Sequence, residues 1–201
     1  MITIIDYDAG NLKSVEKAFM YLGEEVKITR DRHEILNAHK VILPGVGSFG
    51  VAMDKLHHYQ LVDTIKEVAC KGTPLFGICL GLQLLFESSE ESPGVQGLSL
   101  LKGRILRIPH SEGLKIPQMG WNSLSINSKA KLFKNISKES YVYFVHSYYL
   151  QAENAEDVAA RTYYSTSIDA SVERDNVFGC QFHPEKSGDI GLTILKNFAA
   201  L

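Results

Sequence analysis

The sequence predicts an α/β fold: a three-layer sandwich with a central, mostly parallel sheet and added antiparallel strands in the second half. Two observations carry this. From Met1 to Phe86, strand-like apolar runs alternate with helix-like segments, a pattern that argues for parallel strands joined by right-handed crossovers. After Ser92-Pro93-Gly94 the pattern changes to short strand-like runs separated by turns. A chain of 201 residues with 45% apolar content is long enough to bury one substantial core. Residues 1–201 are therefore expected to form a single domain, with no repeat, low-complexity tract or linker.

In order along the chain, Met1–Asp6 reads as a strand and Asn11–Leu22 as a helix stopped by Gly23. Glu25–Thr29 and Lys40–Leu43 read as strands. Ser48–His57 and Leu61–Lys71 read as helices, the second ended by Gly72-Thr73-Pro74. Pro74–Ile78 is a buried strand. Leu98–Ile108, Trp121–Ile126, Tyr141–His146, Val158–Tyr164, Ser167–Glu173 and Val177–Phe182 are short strands, and Ile190–Ala200 closes the chain as a helix.

Composition excludes several classes of function. A net charge of −2 and the lack of a basic run argue against nucleic-acid binding. No apolar stretch approaches the roughly 20 residues of a membrane span. The N-terminus enters a strand directly, without a signal-peptide pattern. Three cysteines, an odd number, do not form a disulfide framework. Cys70 and Cys180 read as packing residues, and a cytoplasmic location with reduced thiols is expected. Cysteines and histidines show no zinc-like spacing, and neither a metal nor a cofactor is expected. His33, His39, His57, His58 and His110 read as solvated or loop residues.

Three segments carry chemistry. Gly77-Ile78-Cys79-Leu80-Gly81 stands between the apolar run Pro74-Leu75-Phe76 and the helix-like Leu82–Phe86. It reads as a strand, a tight turn and a helix with a cysteine at the apex, the form of a nucleophile elbow. Glycine on both sides removes Cβ atoms that would clash in such a turn, and the helix N-terminus favours a thiolate. A thiol nucleophile needs a base, and the base needs an orienting group. His183-Pro184-Glu185 follows the strand-like Asn176–Phe182. In an extended segment His183 and Glu185 would point the same way, with the carboxylate orienting the imidazole. Pro44-Gly45-Val46-Gly47-Ser48-Phe49-Gly50 follows Lys40–Leu43 and supplies a backbone able to turn N–H groups toward a developing oxyanion. Leu80 N–H, next to the nucleophile, would be the second donor. All three segments sit at strand C-termini, where ligands bind in such sheets.

Together these segments resemble the class I (triad) glutamine amidotransferases. The likeness extends to Ile4-Ile5-Asp6-Tyr7, Gly10-Asn11-Leu12, Pro93-Gly-Val-Gln-Gly-Leu98, Pro117-Gln-Met-Gly-Trp-Asn122, Tyr143–Tyr148 and Gln181-Phe-His-Pro-Glu-Lys-Ser187. The Pro-Gly-Val-Gly loop, Met-Gly-Trp-Asn and the Lys-Ser after Glu185 resemble one branch, the glutaminase subunits of imidazole glycerol phosphate synthase in histidine biosynthesis. Two positions depart from that pattern: Asp8 stands where glycine is expected and Leu82 where methionine is expected.

The resemblance implies hydrolysis of L-glutamine to glutamate and ammonia. Cys79, His183 and Glu185 would be the catalytic triad, and Val46, Gly47 and Leu80 the oxyanion hole. Gln83, one helical turn beyond Cys79, would contact the substrate together with His146, Ser147 and Tyr148. With the amidase segments spread from Pro44 to Glu185, the ammonia acceptor is expected on a separate chain. The resemblance identifies it as the (β/α)₈-barrel cyclase subunit of imidazole glycerol phosphate synthase, in a heterodimer. Gln118, Met119, Trp121 and Lys186 would face it. The Val46-Gly47 peptide is expected to turn away from the oxyanion site at rest and to flip inward when the partner binds its acceptor. The alternatives are a glutaminase serving another pathway, a different cysteine enzyme, or a non-catalytic regulatory subunit on the same fold.

Overall fold

The computed structural model describes residues 1–8 and 10–201. In chain order its elements are β1 (Ile2–Ile5), α1 (Leu12–Tyr21), β2 (Val26–Thr29), α2 (Arg32–Leu36), β3 (Lys40–Leu43), α3 (Phe49–His58), α4 (Leu61–Cys70), β4 (Leu75–Ile78), α5 (Leu80–Leu84), β5 (Ser88–Ser89) and β6 (Gly103–Arg107). There follow β7 (Gln118–Ser123), β8 (Ser125–Ile126), β9 (Tyr141–His146), β10 (Tyr148–Ala152), β11 (Val158–Tyr164), β12 (Thr166–Arg174), β13 (Val177–Cys180) and α6 (Gly188–Ala199). Single 3₁₀ turns occupy Lys131–Phe133, Ala155–Asp157 and Pro184–Lys186.

The main sheet has the order β2-β1-β3-β4-β13-β12-β11-β8. From β2 to β13 neighbouring strands are parallel, and from β13 to β8 they are antiparallel. The expected mixture is therefore present, and the change of pattern after residue 94 marks where antiparallel strands enter. Two small sheets, β10-β6-β5 and β7-β9, extend the second half.

Period-two alternation divides the central strands between two cores. Val41, Leu43 and Leu75 pack with α2, α3, α4 and α5. Ile42 and Phe76, one residue out of step, pack with α1 and α6 on the other face. These are the three layers. Continuous apolar runs are what such doubly covered strands require.

Three segments differ from the sequence-based expectation. Leu98–Ile108 is strand only over Gly103–Arg107. Its apolar start is a loop that buries Leu98 and Leu101 without joining a ladder. Tyr148–Ala152 forms a strand for which no prediction was made; it pairs with β6. The five-residue α2 is too short to show a helical period; it begins where the Asp31 side chain accepts from Glu34 N–H at 2.9 Å. Asp8 adopts the left-handed conformation (φ 61°) that explains the expected glycine there. Its carboxylate is held by Arg30 at 2.7 Å and by the Tyr59 hydroxyl. No described helix is long and apolar enough to cross a membrane.

Candidate active site

Strand β4 runs straight into Cys79, and α5 begins at the next residue. Cys79 has φ 55° and ψ −108°, a backbone region L residues rarely occupy. Glycine makes the turn possible: a Cβ on Gly77 would lie 2.6 Å from the Gly81 carbonyl oxygen, and one on Gly81 would overlap the carbonyl oxygen of Leu43. The Cys79 N–H donates to the Cys180 carbonyl at 2.8 Å, tying the elbow to β13. Only 7% exposed, Cys79 opens onto a cleft of about 340 Å³.

Strand β13 lies parallel to β4, with Cys180 opposite Ile78. This register delivers the chain after β13 to the elbow, and His183 lines the same cleft as Cys79. His183 Nδ1 lies 2.8 Å from Glu185 Oε1. The expected extended geometry from 183 to 185 is not what joins them. His183 is extended (φ −101°, ψ 96°), but Pro184–Lys186 is a 3₁₀ turn that folds Glu185 back. A carboxylate accepts only, so Nδ1 carries a proton and Nε2 faces the cleft. Burial opposes a charge on His183. Hydrogen bonding to Cys79 and Glu185 and their negative charge outweigh burial and hold its pKa well above the usual imidazole range.

The cleft wall brings together Val46, Gly47, Leu80, Gln83, His146, Ser147 and Tyr148. Gly47 has φ 108°, a conformation open to glycine. The Leu80 N–H is not free: it donates to the Gly45 carbonyl at 3.3 Å. Beneath the loop, the buried Tyr7 hydroxyl donates to the Pro44 carbonyl at 2.7 Å. Its pKa lies far above the usual value, raised by burial and by the Cys79 charge.

Of the four residues expected on a contact surface, three are exposed. Met119 is 66% and Trp121 56% exposed, and Lys186 is also at the surface. Gln118 is the exception. Strand alternation turns its side chain inward, opposite His146, and it is buried. Cys180 is buried as expected, but Cys70 lies on the surface at the end of α4 rather than packed. The five remaining histidines are exposed.

Three further residues reach the site without having been assigned to it. Asn11 Nδ2–H donates to Glu185 Oε1 at 2.5 Å, so this one oxygen accepts from both Asn11 and His183. Oε2 is buried with no partner among the described residues. Nothing local in the sequence announces this pair, which spans 174 positions. Glu91 lines the cleft and accepts from Phe49 N–H at 2.7 Å, bracing α3 behind the glycine loop. Gln181 places its amide nitrogen 3.7 Å from Cys79 Sγ. Its position two residues before His183 was a legible signal, since alternation puts both on one side.

His146 is buried, with Nδ1 2.8 Å from the Tyr148 carbonyl and Nε2 2.9 Å from the Gln118 amide. Burial, with repulsion from His183, lowers its pKa to about 4 despite the bond to Tyr148. The ring is thus neutral at pH 7. Nδ1 carries the proton, and the Gln118 amide must present its N–H end to Nε2. Unfolded histidine binds a proton below pH 6.5 and this folded one only below about 4. Between those values the unfolded chain holds more protons, so acid favours unfolding. We expect His146 to remove about 3 kcal/mol of stability across that window. Denaturant titrations of wild type and His146→Gln at pH 7 and pH 4 check this; equal acid losses would refute it.

Residues 3–200 match the family described as Glutamine amidotransferase class-I. The chain is 50% identical over 201 residues to the imidazole glycerol phosphate synthase subunit HisH of Caldanaerobacter subterraneus subsp. tengcongensis, covering 100% of this chain and 98% of that one. It is also 50% identical over 200 residues to the subunit of the same name from Moorella thermoacetica, covering 100% and 94%. Among solved structures, one described as a glutamine amidotransferase superimposes with a TM-score of 0.76 at 19% identity, covering 99% of this chain and 100% of that one. The structure of PurLQS from Thermotoga maritima gives 0.76 at 22% identity, covering 99% and 97%. At such identities the structural matches speak for the fold.

Proposed function

From the premise that the chain belongs to the class-I glutamine amidotransferases, in the branch of imidazole glycerol phosphate synthase subunits HisH, we propose that Cys79, His183 and Glu185 hydrolyse L-glutamine and that the ammonia passes to a partner cyclase. Cys79 and His183 meet in one cleft at the ends of adjacent parallel strands, with Glu185 bonded to His183 behind it, and this arrangement carries the reading.

Glutamine binds with its side-chain amide over Cys79. The thiolate attacks the carboxamide carbon, and the carbonyl oxygen becomes an oxyanion. Backbone N–H groups of Leu80 and of the Val46-Gly47 loop stabilise it. His183, whose charged form the site favours, protonates the leaving nitrogen, so ammonia departs instead of an amide anion. A γ-glutamyl thioester remains. His183 Nε2 then takes a proton from water, which adds to the thioester, and glutamate leaves as the Cys79 thiolate is restored. Gln83, His146, Ser147 and Tyr148 line the substrate end of the cleft, and Glu91 offers a carboxylate to the α-ammonium group. Asn11 shares Oε1 of Glu185 with His183 and so steadies the orienting carboxylate.

The partner is the (β/α)₈-barrel cyclase subunit. Met119 and Trp121, exposed apolar side chains two positions apart on one face of β7, would bury against it, with Lys186 nearby as a cation. The thiolate chemistry requires a reduced cysteine, in keeping with a cytoplasmic enzyme.

The bond from Leu80 N–H to the Gly45 carbonyl occupies a donor that the oxyanion needs, which supports a resting enzyme that is switched off. Rotating the Val46-Gly47 peptide by half a turn would take Gly47 from φ 108° to the negative side, where any residue fits. The test measures glutamine hydrolysis by the wild-type complex with and without cyclase acceptor, beside Gly47→Ala. Acceptor should accelerate the wild type. Alanine disfavours the resting conformation by ~1–2 kcal/mol, so acceptor-free hydrolysis should rise roughly tenfold. An isolated wild-type subunit as fast as the acceptor-bound complex would overturn the switch. A chain that forms no ammonia with any partner would overturn the glutaminase itself.

A further inference from the structure

One polar side chain outside the triad meets the Cys79 sulfur. Gln181 is wholly buried, and its Nε2 lies 3.7 Å from Sγ. Its neighbours decide which end of its amide faces the sulfur. The Tyr148 carbonyl can only accept, so the Gln83 atom 3.1 Å from it is the amide nitrogen. That nitrogen also lies 2.9 Å from Gln181, whose facing atom must accept and is therefore Oε1. The Gln181 NH₂ group is left aimed at sulfur. The backbone is clamped as well: Gln181 N–H donates to Ala170 and His183 N–H to Tyr143, both at 2.9 Å. A directed relay thus runs from the Tyr148 carbonyl through Gln83 and Gln181 to the sulfur.

We propose that Gln181 is a catalytic residue that donates an N–H hydrogen bond to the Cys79 thiolate. The proposal rests on the reading of Cys79 as the glutaminase nucleophile. A donor favours the charged sulfur over the neutral thiol. An amide does so without a net charge that would compete with the imidazolium of His183. The bond acts at both ends of the cycle. Before attack it holds the sulfur as an anion. In the thioester the sulfur is neutral and the bond weakens. When water has added and the C–S bond breaks, the electron pair returns to sulfur, and the waiting N–H stabilises the departing thiolate. The water proton resides on His183 at that moment, so charge balances.

The other titratable groups around the sulfur are His183, Tyr7 and Cys180, with Glu185 and His146 beside His183. Changing Gln181 alters none of them directly. The test is the pH dependence of Cys79 alkylation by iodoacetamide, read by mass spectrometry on the Cys79 peptide. This measurement also separates Cys79 from the exposed Cys70. Gln181→Met keeps the length and removes the donor. We expect the pH of half-maximal alkylation to rise by about one unit, equivalent to about a tenfold change in the thiol-to-thiolate ratio at a fixed pH. Gln181→Glu keeps the shape and the bond from Gln83 but turns a carboxylate toward the sulfur, so its rise should be larger.

A folded variant with the wild-type profile overturns the proposal, even where glutamine turnover has fallen, because a packing role would leave the profile unchanged. Independently of either variant, the side-chain amide protons of Gln181 in the ¹⁵N-labelled wild type should shift on alkylation of Cys79; unmoved resonances overturn the proposal too. A wild-type chain that cannot be alkylated at Cys79 at any pH overturns instead the nucleophile reading on which this rests.

Discussion

Cys79→Ala should lower ammonia release from glutamine by roughly 10³-fold or more while the protein stays folded. Among the described residues that line the cleft only Cys79 carries a thiol, so the proposed thioester intermediate is lost with it. The fold tolerates the change for a local reason. Alanine carries the same Cβ as cysteine, so it faces the same backbone strain at φ 55°, ψ −108° and adds none. Losing one buried sulfur leaves a void of about one atom, a cost of ~1 kcal/mol. The measurement is ammonia production by the complex with cyclase, together with a thermal melt. Ammonia supplied in solution should still feed the partner's synthesis, which separates a lost nucleophile from a lost interface. Undiminished glutamine hydrolysis in Cys79→Ala would sink the triad.

Gly81→Ala should be the most damaging single methyl group in the elbow. The added Cβ would overlap the carbonyl oxygen of Leu43 and lie 2.9 Å from its carbonyl carbon. Neither atom has room to retreat. Leu43 ends β3, which is hydrogen-bonded between β1 and β4 in the middle of the sheet. Its carbonyl also stands at the entry to the Pro44-Gly45-Val46-Gly47 loop. Either the elbow opens or the loop moves. We expect a loss of ~3–5 kcal/mol, seen as a fall in melting temperature on the order of ten degrees. Glutamine hydrolysis should fall with it, since the displaced backbone carries both Cys79 and the proposed oxyanion donor. A melting temperature within a degree or two of wild type would show that the helix and strand are less closely apposed than the structure has them.

The parts of the fold that could be read from the sequence are those governed by neighbours in the chain. β3 matches its predicted bounds, and β1, β2 and β4 fall within theirs, because apolar runs flanked by glycine and proline have few other uses. The second half was less transparent. Leu98 and Leu101 are apolar because they plug the core from a loop, and a hydrophobic plug has the same composition as a strand. β10 follows β9 after a single residue, so no turn signature separates them. The outward expectation for Gln118 failed because one-residue register decides which face a strand residue joins, and only the pairing with His146 fixes it.

The sequence by itself singled out the atoms proposed to react and the local scaffold that presents them. Glycine at 77 and 81 leaves room for the tight turn around Cys79, and proline after His183 restricts the backbone there, both being steric effects within a few residues. Tertiary structure alone decided how those atoms are tuned. Asn11 meets Glu185 across 174 positions and Gln181 meets Cys79 across 102. Such partners are chosen by strand order and register, where β13 settles beside β4. Short-range sterics are written in adjacent letters, whereas a hydrogen bond between distant side chains exists only once the packing of the whole sheet has brought donor and acceptor together.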